Sequence, residues 1–180
     1  MLKGKEIVLG VSGGIAVYKA AELTRLLVKG GANVNVVMTK NAQQFVTPLT
    51  FQTLSGNPVA TELFNLTERS EIKHISLAEK SALLVIAPAT ANVIGKIASG
   101  IADDLLTTIV LATQAPILIA PAMNVQMWEN PIVQDNIKRL KKIGLKFVEP
   151  GSGYLACGYE GKGRLAEPEA ILKKIKALLK

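Results

Sequence analysis

Few side chains in this sequence are suited to acid–base or nucleophilic work. His74 is the only histidine and Cys157 the only cysteine. An imidazole titrates near neutrality and can act as a general base, although a lone histidine on a helix also serves as a surface or capping residue. Cys157 lies in Tyr154-Leu-Ala-Cys-Gly158, within a run rich in glycine. Such a loop is a poor place to bury a thiol, and an exposed thiol there can give up a proton or attack as a nucleophile. Asn92 and Asn124 each follow an apolar run, where an amide can either present neutral donors or simply cap a turn. Asp103 and Asp104 are adjacent and read as a helix cap rather than an acid/base pair. A single cysteine excludes an internal disulfide and a cysteine-based metal cluster, and no metal site is read.

The remaining chemistry is in the stretch Glu6 to Ala20, where an apolar run passes through Ser12, Gly13 and Gly14 into an amphipathic segment. A strand leading through small residues into a helix points free N–H groups at one spot, which the helix dipole makes favourable for an anion. Gly10, Gly13 and Gly14 do not have the spacing of a dinucleotide fingerprint, and no acidic residue ends the next strand to read a ribose. No Gly-Lys followed by Ser or Thr makes it a nucleoside-triphosphate loop. The turn suits a single phosphate, as in a mononucleotide, or is a tight structural turn without a ligand.

These residues need a scaffold, and the hydrophobic pattern supplies one. Strands are expected at Ile7–Val11, Asn33–Thr39, Ala82–Pro88, Ala115–Ala120 and Lys146–Val148. Helices are expected over Gly14–Lys29, Glu71–Lys80, Val93–Ser99, Asp104–Thr113, Pro131–Ile143 and Glu167–Leu179, with short ones at Ala42–Phe45 and Leu49–Leu54. Pro150 to Gly163 reads as a glycine-rich loop. Strand and helix alternate, so the expected fold is α/β: a Rossmann-like or flavodoxin-like three-layer sandwich with a mostly parallel sheet, one domain over residues 1–180. Ligands of such sheets sit beyond the carboxyl ends of the strands. There the sequence puts Ser12-Gly13-Gly14, Thr39, Pro88-Ala-Thr-Ala-Asn92 and Pro121-Ala-Met-Asn124, four clusters converging on one crevice.

Composition narrows the function classes. The chain has 180 residues, 49% of them hydrophobic but only 4% aromatic, which implies an aliphatic core. The net charge of +7 is carried largely by lysines and arginines of the late helices. Without aromatic interleaving or zinc spacing it does not argue for nucleic acid, though it can attract an anionic small molecule. No uncharged run is long enough for a membrane span, and with no targeting segment the expected compartment is a reducing cytoplasm.

In combination these stretches resemble the homo-oligomeric flavin-containing cysteine decarboxylases, over nearly the whole chain and in order. Val11-Ser-Gly-Gly-Ile-Ala-Val-Tyr-Lys19 is similar to the family's flavin-phosphate turn, and His74 stands where the family has its essential histidine. Pro88-Ala-Thr-Ala-Asn92 resembles the Pro-Ala-Ser-Ala-Asn-Thr flavin motif, with Thr90 and Val93 as departures. Pro121-Ala-Met-Asn-Val-Gln-Met-Trp128 fits P-x-M-N-x-x-M-W at every fixed position. Leu155-Ala-Cys-Gly158, followed by Gly163-Arg-Leu-Ala-Glu-Pro168, resembles the substrate-recognition clamp.

The resemblance implies FMN as cofactor and decarboxylation of 4'-phosphopantothenoylcysteine to 4'-phosphopantetheine in coenzyme A biosynthesis. The implied route is flavin oxidation to a thioaldehyde, loss of CO2 and re-reduction of the ene-thiolate. It further implies His74 as base, Asn124 as donor to the substrate carboxylate and Cys157 as proton donor. Ser12, Gly13, Gly14, Ile15 and Thr39 would hold the flavin phosphate, and Thr90, Ala91, Asn92 and Val93 the ring and ribityl chain. Asn124, Met127, Tyr154 and Ala156 would contact substrate. The family's assembly implies a homotrimer or a dodecamer of trimers, with His74 and Asn124 acting on a flavin held by a neighbour. Both a free-standing form and the first half of a protein with a phosphopantothenate–cysteine ligase domain stay open. Within the same resemblance, a peptidyl-cysteine decarboxylase is disfavoured by Cys157, because that chemistry needs no late proton donor. A flavin prenyltransferase should lack the Met-Asn-x-x-Met-Trp stretch, and a non-catalytic flavin-binding regulatory subunit usually carries acidic or disordered extensions. A Cys–His hydrolase lacks a supporting third residue.

Overall fold

A computed structural model describes residues 2–64, 73–154, 158 and 160–180. The parallel strands β1 (Glu6–Val11), β2 (Asn33–Met38), β3 (Leu83–Ala89), β4 (Ile117–Pro121) and β5 (Lys146–Phe147) form one sheet in the order β2-β1-β3-β4-β5. Side chains alternate across it, so each strand feeds two cores. Ile7, Leu9 and Val11 face Val17, Ala20, Leu23 and Leu27 of α1 (Val17–Lys29) and Ile171 and Ile175 of α8 (Pro168–Leu178). On the other face Val8, Leu84 and Ile86 meet Val93, Ile94 and Ile97 of α4 (Ala91–Ser99) and Leu105, Leu106 and Ile109 of α5 (Leu105–Ala112). Each such aliphatic side chain, fully buried, stabilises the fold by about 1.5–3 kcal/mol, and the paired layers make the expected three-layer α/β sandwich.

The sheet order reverses direction at β1 and β3. From β1 the chain steps outward to β2; it then returns past β1 through α2 (Pro48–Ser55) and α3 (Lys73–Lys80) to build β3, β4 and β5 on the other side. The carboxyl ends of β1 and β3 therefore flank the crevice where open α/β sheets bind ligands.

Several boundaries differ from the sequence reading. α1 begins at Val17 and not at Gly14, because residues 13–16 form the turn itself. α4 begins at Ala91 and not Val93, with Thr90 as its cap. Asp104, of the two candidate caps, starts α5: its Oδ1 accepts from Thr107 N at 2.8 Å. A five-residue helix, α6 (Val125–Glu129), precedes α7 (Pro131–Lys142) and is too short to show a period in the sequence.

The largest correction is in the glycine-rich stretch. Instead of a loop throughout, it contains an antiparallel pair, β6 (Gly151–Tyr154) and β7 (Glu160–Arg164). Glycine lowers strand propensity, so the pairing was invisible to a pattern argument; backbone bonding and close packing on α6 sustain it. A Cβ on Gly161 would lie 2.8 Å from Val125 Cγ2, so β7 can approach α6 only because that position has no side chain.

Candidate active site

One cavity of about 690 Å3 opens at the carboxyl ends of β1, β2, β3 and β4. Of the residues singled out in the sequence, Ser12, Gly13, Gly14, Ile15, Thr39, Thr90, Ala91, Asn92, Val93, Asn124, Met127 and Tyr154 all line it. Elements far apart in sequence are thus brought to one wall by the sheet order.

The turn after β1 is held by side chains on both sides. Gly13 lies so close to the segment after β2 that an added Cβ would be 2.7 Å from the carbonyl carbon of Asn41. Ser12 is buried; its hydroxyl donates to Pro88 O at 2.7 Å and accepts from Thr90 N at 3.0 Å. These bonds staple the end of β1 to the end of β3. Thr90 continues the chain of contacts, its Oγ1 accepting from Val93 N at 3.4 Å to cap α4. The N–H groups of Gly13, Gly14, Ile15 and Ala16 donate to no described residue, since the turn's own bonds begin with Val17 N to Gly14 O. Four consecutive donors beside a helix start suit a phosphate. Thr39 Oγ1 accepts from Ala42 N at 3.3 Å and fixes the neighbouring loop.

Across the cavity, Asn124 caps α6, its Oδ1 accepting from Gln126 N at 2.8 Å. Met123 N donates to Gly163 O at 3.0 Å, which seats the β6–β7 pair beside Asn124. Met127 is 47% exposed and Tyr154 72% exposed at the cavity edge.

Several charged residues of the wall were given no role of their own in the sequence reading. Lys19 is buried on α1, and its ammonium lies 2.7 Å from Glu167 Oε1, holding that carboxyl below the usual carboxylate range. Lys96 bridges Asp103 at 2.7 Å and Asp104 at 3.3 Å. The Asp103 hydrogen bond raises the Lys96 ammonium and, reciprocally, lowers the Asp103 carboxyl. Lys40 and Arg164 complete the cations of the lining. A lysine on the buried face of an amphipathic helix, as Lys19 is, was the one cue available in the sequence.

His74 is not among the residues that line this cavity. It is half-buried on α3, and its Nδ1 is buried with no partner among the described residues. A single copy therefore brings Asn124 to the phosphate turn but not His74. Cys157 and Ala156 lie outside the described residues. No group of metal-ligating side chains occurs among the described residues, and no helix is long and apolar enough to cross a membrane.

The fold and the cradle define a ligand-binding α/β protein, and the chain belongs to the flavoprotein family, whose model matches residues 1–180. It is 58% identical over 173 residues to the coenzyme A biosynthesis bifunctional protein CoaBC of Bacillus subtilis, covering 96% of this chain and 43% of that protein. The chain thus spans less than half the length of that relative. It is 48% identical over 177 residues to a probable phosphopantothenoylcysteine decarboxylase of Streptococcus mutans, covering 97% of this chain and 99% of the other. Among solved structures it resembles a PPC decarboxylase cysteine-to-serine mutant complexed with pantothenoylaminoethenethiol, with TM-score 0.86 and 32% identity over 97% of this chain and 98% of that one. The FMN-dependent cysteine decarboxylase SpaF gives TM-score 0.85 at 31% identity, over 99% and 97% of the two chains.

Proposed function

We propose that this chain catalyses the FMN-dependent decarboxylation of 4'-phosphopantothenoylcysteine to 4'-phosphopantetheine. The observation that carries the reading is that one cavity joins four N–H groups after β1 that donate to no described residue, the capped start of α4, and Asn124 with Met127. The end-to-end match to the Streptococcus mutans protein supports the choice of substrate.

The cradle fits a mononucleotide. Its donors are backbone groups, it has no room for a side chain at Gly13, and the only acidic residue of the lining among the described residues, Asp104, is engaged by Lys96. Gly13, Gly14, Ile15 and Ala16 would bind the phosphate through their amides, with Thr39 and Lys40 beside it. Thr90, Ala91, Asn92 and Val93 would border the rest of the cofactor, and Ser12 would keep the two halves of the cradle in register. When bound, FMN supplies a reversible two-electron acceptor, which gives the carboxylate an electron sink that a simple amino acid lacks. His74 would take up the proton released from the substrate thiol side. Asn124 would donate to the carboxylate without a full positive charge that would oppose CO2 leaving. Met127, Tyr154 and Ala156 would enclose the substrate, and Cys157 would return the proton that completes the product.

Because His74 is not among the residues that line the cavity of its own chain, the reading includes a homo-oligomer in which another copy supplies it. Exposed apolar residues near the cavity mouth, Ile15 at 61% and Tyr18 at 57%, together with Leu49 at 69%, support such a contact. A homotrimer or a dodecamer of trimers is the proposed assembly. A ligase domain acting on the preceding intermediate is a proposed covalent or separate partner, and the proposed setting is the cytoplasm, where a reactive thiol stays reduced. The test is product analysis. FMN-loaded protein should convert 4'-phosphopantothenoylcysteine to one equivalent each of CO2 and 4'-phosphopantetheine; an oxidised product accumulating instead would contradict the redox-neutral reaction.

A further inference from the structure

The substrate of the proposed reaction carries two anions: the carboxylate that leaves and a phosphate monoester that stays. Asn124 is suited to the first, which leaves the second without a reader. The cavity wall contains the cations Lys19, Lys40, Lys96 and Arg164. Lys19 is locked to Glu167 at 2.7 Å, and Lys96 to Asp103 and Asp104 at 2.7 and 3.3 Å. Lys40 adjoins Asn41, which packs on Gly13 of the phosphate turn. Arg164 remains. Its guanidinium makes no hydrogen bond to a described residue, and the nearest carboxylate oxygen, Glu167 Oε1, is 3.9 Å away and already held by Lys19.

The position of Arg164 is nonetheless fixed. Its backbone pairs with Gly151, and the preceding Gly163 O accepts from Met123 N at 3.0 Å, next to Asn124. The side chain lies over Gly153, where a Cβ would be 3.0 Å from Nη1; the bare glycine gives the guanidinium its space. The side chain is 40% exposed, so it meets both cavity and solvent. A planar fork of donors matches a phosphate bidentately. A full positive charge is also better placed on the group that keeps its charge through the reaction than on the carboxylate, whose loss it would resist.

We infer that Arg164 reads the phosphate monoester of the substrate and sets the preference for phosphorylated over dephosphorylated pantothenoylcysteine. The inference rests on the proposed function. The test measures kcat/KM of FMN-loaded wild type, Arg164→Gln and Arg164→Lys on 4'-phosphopantothenoylcysteine and on pantothenoylcysteine. Calorimetric titrations with 4'-phosphopantetheine and pantetheine accompany it, as a readout independent of turnover. In Arg164→Gln the kcat/KM ratio between the two substrates should fall about 10- to 100-fold, the size expected for a lost charge-assisted pair. The affinity ratio for the two pantetheines should fall in parallel, and Arg164→Lys should retain part of both. Because each ratio is taken within one protein sample, a partly unfolded variant does not distort it. Equal losses on both substrates, or a loss of FMN affinity with an unaltered ratio, would overturn the inference and leave the function standing. A wild-type protein that decarboxylates neither compound would overturn both.

Discussion

At the residue scale, the cradle depends on positions that touch each other as much as on those that face a ligand. Ser12 is the case in point. Replacing it with alanine leaves the part-buried Thr90 N–H without its acceptor, a loss of about 1 kcal/mol. Ser12→Ala should lower the urea midpoint of the cofactor-free protein and weaken FMN binding; unaltered stability with weaker FMN would instead make Ser12 a direct ligand. Cys157→Ser should still release CO2 but stall at the unsaturated thiol, detectable by mass; full turnover by that variant would remove its assigned role. The sequence made these residues visible because type and spacing survive without a structure: Gly13-Gly14 at a strand end, Asn124 within Met-Asn-x-x-Met-Trp. Arg164 and Lys19 fell within the quoted clamp and turn stretches but were given no role of their own, because what distinguishes them is whether a carboxylate lies nearby, and that is decided by tertiary packing.

At the scale of elements, the β6–β7 pair is where sequence reasoning failed and where the structure adds most. Its attachment to α6 combines the Gly161–Val125 contact, the Met123–Gly163 bond and Lys162, whose ammonium lies 5.4 Å from the Trp128 ring centroid and 2.9 Å from Glu149. Gly161→Ala should push β7 from α6 and cost about 1–3 kcal/mol. Turnover should drop at least about tenfold while FMN binding persists, since the cradle is on other elements. Adding Val125→Ala should restore part of the activity, and no restoration would show that the steric contact is not the cause. Glu149 gives this attachment a pH dependence. The Lys162 and Lys141 ammonium groups hold its carboxyl below the ordinary 4.5. Its contribution is therefore complete above about pH 4.5 and is lost as the pH falls through the lower folded value. Glu149 is 55% exposed, so the effect is no more than about 1 kcal/mol and shrinks with salt. Urea midpoints of wild type and Glu149→Gln should converge toward acid pH; a constant gap would remove the linkage.

At the scale of the whole molecule, the mostly parallel α/β sandwich was legible in the sequence, because strand and helix patterns alternate and the apolar runs were long; the strand order β2-β1-β3-β4-β5 was not read from it. Nor was the surface between copies. His74 could be singled out by type, yet it is not among the residues that line the cavity of its own chain, and a single sequence does not show which face of another copy would meet it. His74→Asn should leave FMN binding and assembly intact, as read by flavin content and light scattering, while abolishing turnover; normal turnover would exclude His74 as the base. The central claim is that one cavity hosts a redox-neutral decarboxylation, and it is tested most directly by following the visible flavin band during anaerobic mixing with 4'-phosphopantothenoylcysteine. The account predicts a transient bleach that recovers as CO2 and 4'-phosphopantetheine appear in equal amounts. A flavin band that never changes while product forms, or a protein that cannot be loaded with FMN, would contradict it.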